Sequence, residues 1–299
     1  MAKKWAKFPH AEAAYAFDAA GLRKHWPRLH KGDCEPFPKD SAVVDAWRHY
    51  HAGDFQQAVE AGTAAGDAGV NAAVKAQVVY ANYLEKGAAA KLALFEEAAD
   101  WADARRGGAG VNAAVKAQAV YANYLEKAAA AKLALFEEAA GWAEARRAEA
   151  PKDANAHYLY AFALGRYSQG ISVAKALAQG FGGKIKDALL AAQKLEPKHA
   201  EAWTAYGAYQ SEVIAKVGGI VAGVTYGAKK DSALECYQKA LKLFPESPIA
   251  HIEYANGLML LFGKSKVDEA TRLYEQAAAA KAADAMERLD AEHAKSELE

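Results

Sequence analysis

Two glycine-rich segments ending in lysine, Gly180-Phe181-Gly182-Gly183-Lys184 and Gly223-Val224-Thr225-Tyr226-Gly227-Ala228-Lys229, carry residue types that can cradle a phosphate. Such a loop needs GxxxxGK[ST] spacing between a strand and a helix, so that backbone amides converge on the anion. Neither segment has that spacing and no strand pattern precedes either, so the expectation is a pair of excursions in which glycine permits tight turns. Nine histidines raise metal chemistry next. His49 and His51 are two apart and point away from each other on a helix. His30 and Cys34, four apart, can share a face, but two ligands do not close a zinc site. No nucleophile elbow, HExxH or paired-cysteine motif occurs. Glu96-Glu97 and Glu137-Glu138 read as solvated faces, and Arg105-Arg106 and Arg146-Arg147 as helix C-termini favoured by the macrodipole. These residues imply no enzyme, no metal and no cofactor.

The elements that must position them are helical. Of 299 residues about a quarter are alanine and only eight are proline, a composition that favours helix. Thirty-seven basic and thirty-seven acidic residues balance, so nothing argues for a nucleic-acid or anionic-membrane partner and neither is expected. The two cysteines, Cys34 and Cys236, lie far apart and suggest a reduced compartment. The N-terminus lacks an uninterrupted apolar stretch of signal-peptide type. The longest apolar run, Val217 to Ala228, is too short to span a bilayer. The expected location is cytoplasmic.

The chain repeats itself. Val70 to Arg106 recurs as Val111 to Arg147 with 33 of 37 positions identical, differing only at Val78/Ala119, Gly87/Ala128, Asp100/Gly141 and Asp103/Glu144. A period of this length is the mark of stacked supersecondary units. In each copy apolar positions recur at helical spacing. Val74, Gln77, Ala81 and Leu84 lie on a first helix; after an interruption at Gly87, Leu92, Phe95, Ala99 and Ala102 lie on a second, which stops at the glycines of 107–110. Near-identity beside diverged neighbours implies a recent event, by evolution or by hand.

A more diverged form continues downstream. His157-x-x-Tyr160-Ala161, Trp203-x-x-Tyr206-Gly207 and His251-x-x-Tyr254-Ala255 each set a large residue before a small one, as do Tyr80-Ala81 and Tyr121-Ala122. After Trp203-x-x-Tyr206-Gly207 come Ala233, Tyr237, Ala240 and Pro245. This pattern resembles the tetratricopeptide repeat family, and specifically a bacterial member with an internal repeat duplication. HEAT-type repeats, with a period close to the 41 residues seen here, stay open as the structural alternative. The resemblance implies an all-α, right-handed α-solenoid of antiparallel helix pairs. Residues 1–40 then form a capping helix and proline-containing linker, with Ser41 as an N-cap. Helix-pair repeats follow at 41–69, 70–110, 111–151, 152–198, 199–247 and 248–281, and residues 282–299 form a terminal capping helix. Small residues such as Gly207 sit where helices cross closely, and aromatics fill the gaps between repeats.

In that family ligands lie along the face of the first helices. Carrying the register over selects Lys75, Asn82 and Lys86 in one copy, Lys116, Asn123 and Lys127 in the next, and Tyr158, Phe162 and Arg166 beyond. A lysine and asparagine ladder suits an extended peptide, an acidic one included: asparagine bonds backbone amides and lysine bonds carboxylates. The resemblance therefore implies a non-catalytic scaffold for an unidentified protein or peptide, with no nucleic acid, no membrane and an open oligomeric state. Two other readings stay beside it. One is a small apolar ligand held near the insertions 170–184 and 217–230 by Val217, Ile220, Val221, Val224 and Phe181. The other is an engineered repeat duplication.

Overall fold

The computed structural model describes residues 5–103, 111–112, 115–116, 118 and 128–299. Every regular element among them is helical, so the expected all-α class holds. The expected Tyr121-Ala122 step, Asn123, Lys127 and the glycine stop at 107–110 lie outside the described residues. No helix among the described residues is long and apolar enough to cross a membrane. The chain divides into two compact units, one of residues 1–26, 36–151 and 283–286, the other of residues 27–35, 152–282 and 287–299.

The single helix expected over residues 10–31 is instead a 3-10 turn, Ala13–Tyr15, followed by α1, Ala19–Leu29. Asp18 makes the break: its carboxylate accepts from Gly21 N at 2.6 Å and so starts a helix of its own. In the first unit α2 (Ser41–Ala52) is capped by Asp40 rather than Ser41, the Asp40 carboxylate accepting from Ala42 N at 2.8 Å. A carboxylate at this position also meets the positive end of the helix dipole. Helices α3 (Phe55–Ala64), α4 (Val70–Val79) and α5 (Ala88–Asp103) follow. Val70, Val74, Val78, Ala81, Phe95 and Ala98 form one buried cluster, of which helical spacing selected Val74, Ala81 and Phe95, whereas Leu92, also selected, is exposed.

The two copies of the doublet use the same bonds. Gln77 Nε2 donates to Leu94 O at 2.8 Å and to Glu97 Oε2 at 3.2 Å. Gln118 Nε2 donates to Leu135 O at 3.2 Å and to Glu138 Oε2 at 2.7 Å, reaching α6 (Ala129–Glu149). Glu97 and Glu138 are therefore acceptors for buried amides and not merely the solvated face read from the sequence. Each glutamine tethers a first helix to the second with a side-chain bond that desolvation makes costly to lose.

The second unit contains α7 (Ala154–Gln169), the short α8 (Val173–Ala178), α9 (Phe181–Leu195), α10 (Ala200–Val217), α11 (Lys230–Leu243), α12 (Pro248–Phe262), α13 (Val267–Ala278) and, from Glu287 on, α14 (Ala285–Ser296). Helices pack as the pairs α7/α9, α10/α11 and α12/α13, and α10 also packs on α12. Each first helix has its own polar cap. The Asp153 carboxylate accepts from Ala156 N, His199 Nδ1 from Ala202 N, and Ser247 Oγ from Ala250 N, each at 3.2 Å.

Tyr237 of α11 enters the core where α10 and α12 approach each other. A methyl group on Gly207 would stand 2.9 Å from its ring, and one on Gly257 would stand 2.5 Å from its hydroxyl oxygen. The ring stacks on Tyr254 at 5.1 Å and the hydroxyl lies 3.3 Å from Ser211 Oγ. Gly207 thus serves the close crossing expected of it, and Gly257 matches it on the far side. Because the ring is held from both sides it cannot swing away, so Gly257→Ala is expected to cost about 1–3 kcal/mol by overpacking. Tyr237→Phe leaves the ring in place and is expected to cost only about 1 kcal/mol. Thermal or urea unfolding of the two variants checks the order; an unchanged midpoint for Gly257→Ala would contradict the slot.

Candidate functional site

In the first unit the sequence-selected ladder does not stand as a row of equivalent side chains. Lys75 is half-buried on α4 with its ammonium 5.0 Å from the Trp47 ring centroid, a cation–π contact that turns it toward α2. Asn82 falls in a π turn, Tyr80–Leu84, that follows α4, and its carbonyl accepts from Lys91 Nζ at 3.0 Å. The turn closes with Glu85 N donating to Tyr80 O at 3.0 Å, and Glu85 is extended. The wider turn adds a residue to the helical register, so Lys86 is exposed in the loop beyond it rather than one helical turn from Asn82. Lys116 is half-buried in a helical stretch; its partners in the ladder, Asn123 and Lys127, lie outside the described residues.

In the second unit the selected residues do come together. Tyr158, Phe162 and Arg166 occupy successive turns of α7. The rings of Tyr158 and Phe162 are 6.4 Å apart, and the Arg166 guanidinium stands 5.5 Å over the Phe162 ring. Arg166 also donates to Gln169 Oε1 at 3.3 Å, which holds its long side chain along the helix. Extending the register by one repeat gives Thr204, Ala208 and Glu212 on α10.

Two residues that sequence reasoning passed over complete this face. Glu201 accepts a hydrogen bond from the Tyr158 hydroxyl, and burial followed by that carboxylate raises the Tyr158 pKa well above the usual phenol value. Glu253, on α12, keeps part of its surface in contact with water, yet burial raises its carboxyl pKa. Arg166 opposes that rise and Glu212 adds to it. A carboxylate that is desolvated by its neighbours, yet keeps part of its surface in water, is a candidate for a functional site as well as for a structural ion-pair network. Its signal in the sequence was slight, a glutamate two positions after His251, one step out of the register that gave Tyr158 and Arg166.

His199 underpins the α7 side of the face. The buried imidazole lies 5.1 Å from the Tyr158 ring, and its Nε2 is 3.0 Å from Asn155 Oδ1. Since Nδ1 accepts from Ala202 N, the neutral tautomer with hydrogen on Nε2 satisfies both contacts, and Asn155 Nδ2 passes the chain on to Asp33 O at 2.9 Å. The histidine is thus a cap and a spacer. Its neighbours His30 and His251 are likewise engaged, with Asp33 Oδ1 at 2.9 Å and Ser247 O at 2.8 Å. Burial pushes both the Cys34 and Cys236 thiols up to about 12, so neither is present as the thiolate that nucleophilic chemistry requires.

The glycine-rich excursions form neither a phosphate cradle nor an apolar pocket around the residues chosen for one. Gly180 caps α9 in the left-handed conformation, and Gly182, Gly183 and Lys184 are already in the first turn of that helix. Ile220 and Val224, expected to line a pocket, are 85% and 86% exposed and point into solvent, because the turn bearing them projects from the unit.

No curated protein matches the chain. The sequence model of the family described as Regulator of microtubule dynamics protein 1-3 matches residues 84–298. That match corrects the tetratricopeptide assignment made from the Tyr-Ala and Tyr-Gly steps, together with the bacterial affiliation attached to it. At Tyr206-Gly207 the step reports a close helix crossing, a packing solution that does not single out one family. Over the greater part of its length, then, this chain is a member of the Regulator of microtubule dynamics protein 1-3 family.

Proposed function

We propose that the chain is a non-catalytic scaffold that binds an extended segment of a protein partner along the face formed by α7, α10 and α12. Its helix pairs follow one another as a right-handed solenoid, with this face on the inside. The observation that carries the reading is the grouping of Phe162, Arg166, Glu212 and Glu253 from three successive first helices around a desolvated, water-accessible carboxylate. The aromatic pair supplies apolar contact, Arg166 a fork for a carboxylate, and Glu253 an acceptor for an amide or ammonium. The family's description names the regulation of microtubule dynamics, a process of protein assembly, which favours a protein partner over a metabolite. With both thiols held protonated and no catalytic motif in the sequence, binding rather than turnover is the activity proposed. The place proposed for it is the cytoplasm.

Three outcomes are expected. Peptides selected from a display library against the intact chain should share a consensus, and their affinity should fall at least about tenfold in Phe162→Ala and in Arg166→Ala. Absence of any enrichment, or equal affinity for the variants, would sink the reading. Glu253 yields a pH signature. Because folding raises its pKa, the native state holds the proton more tightly than the unfolded chain. Stability from this group is full below the ordinary carboxylate pKa and is lost as pH rises through the raised value. Glu253→Gln should therefore melt increasingly above the wild type as pH goes from about 4 to about 7.5. A difference that stays flat with pH would remove Glu253 from the argument. Finally, deleting Val70 to Gly110 should leave a cooperatively folded, shorter protein, because stacked units owe their stability to themselves and their neighbours. A deletion product unfolded by circular dichroism would exclude the modular architecture.

A further inference from the structure

In the second unit, the turns that join the first to the second helix of each pair are chained together by contacts. The excursion over 218–229 lays the Tyr226 ring against Gly182 at the start of α9, and Lys186 Nζ donates to Tyr226 O at 2.9 Å. On its other side Ala222 and Ala228 pack with Leu261 and Phe262 at the end of α12, and Lys230 Nζ donates to Leu261 O at 2.6 Å. These contacts put all three turns on one edge of the unit. Their sequences, 170–186, 215–230 and 259–267, contain lysines and neither aspartate nor glutamate. Acidic residues begin only inside the helices that follow, at Asp187, Asp231, Asp268 and Glu269, and Glu269 pairs with Lys266.

From the middle turn two aliphatic side chains stand clear of the protein. Ile220 is 85% and Val224 86% exposed, with Val221 beside them at 46% and Leu177 of the neighbouring turn at 44%. Four positions apart, Ile220 and Val224 share one side of the turn. Exposed Lys216 and Lys229 flank them, and exposed Lys264 lies on the adjoining turn.

We infer that this edge docks on an anionic phospholipid surface, with Ile220 and Val224 entering the acyl boundary and Lys216, Lys229 and Lys264 meeting the headgroups. The shape of the tip decides for a bilayer over a folded partner. Side chains that project so far need a medium that deforms around them, whereas a protein would need a preformed pocket. The charge is complementary as well, since surface lysines draw toward anionic lipid by roughly fivefold in partition each. Every methylene withdrawn from water adds roughly fourfold. Docking of this kind is peripheral and requires no spanning helix.

The test is co-sedimentation of the full chain with vesicles of phosphatidylcholine containing roughly 30% phosphatidylserine, against pure phosphatidylcholine. Binding to the anionic vesicles is expected, with little to the neutral ones and a marked loss at about 0.5 M salt, where the screening length is short. Ile220→Ser with Val224→Ser should lower partition at least tenfold. Because both side chains already face solvent, the melting temperature should not change. Lys216→Glu with Lys229→Glu should lower partition on anionic vesicles without altering the fold. Failure to bind anionic vesicles overturns the inference, as does equal binding of the serine variant. A concentration-dependent dimer in light scattering that the serine variant abolishes also overturns it, by showing that a second copy covers the tip.

Discussion

The phenol ring of Tyr237, held between Gly207 and Gly257, sets the distance between α10 and α12, and the rest of the second unit is arranged around that distance. A side chain on either glycine would force the helices apart, since close-packed interiors do not absorb an added methyl group without strain. The ring fills its slot, stacks on Tyr254 and leaves its hydroxyl at Ser211. The approach of α10 and α12 brings Glu253 within electrostatic reach of Glu212, and Arg166 on α7 reaches it as well. Packing inside the unit therefore creates the charge arrangement on its face.

That arrangement is poised by competition. Burial opposes ionisation of Glu253, Arg166 favours it and Glu212 opposes it. Tyr158, bonded to Glu201 and braced by the His199–Asn155–Asp33 chain, adds a rigid aromatic wall. Under the function proposed, such a fork, ring and reluctant carboxylate would lower the entropic cost of ordering an extended ligand to the extent that they are held in place beforehand. The first unit spends its polar groups differently. Lys75 lies over Trp47, and Gln77 and Gln118 are committed to tying first helices to second ones.

Charge is a second lesson in position. The chain as a whole is neutral, and on that ground nothing in the sequence argued for an anionic surface as partner. Net charge sums over all faces, whereas binding depends on potential near one of them, which falls off within about a Debye length. The lysine-bearing turns of the second unit are far apart in sequence and adjacent in space, so no count along the chain could expose them.

Much was legible beforehand because helices are local. Alanine content, apolar spacing of three and four, and the break at Gly87 pointed to the all-α class and to two helices in the first copy, and Gly207 before Tyr237 announced a close crossing. Capping was less legible. Asp18 and Asp40 redirect the backbone through bonds that compete with several equivalent side chains nearby. The π turn at Tyr80–Leu84 likewise depends on one hydrogen bond choosing a more distant acceptor. The Tyr-Ala steps suggested the wrong family because they encode a packing distance shared by many helical folds. Sequence by itself determined that the chain is helical, largely which faces are apolar, and that one 37-residue segment occurs twice, since each follows from residues close along the chain. Only the tertiary structure decided that Glu253 is desolvated beside Arg166, that His199 is a cap, and that Ile220 and Val224 face outward, because desolvation and through-space charge are set by neighbours from other helices.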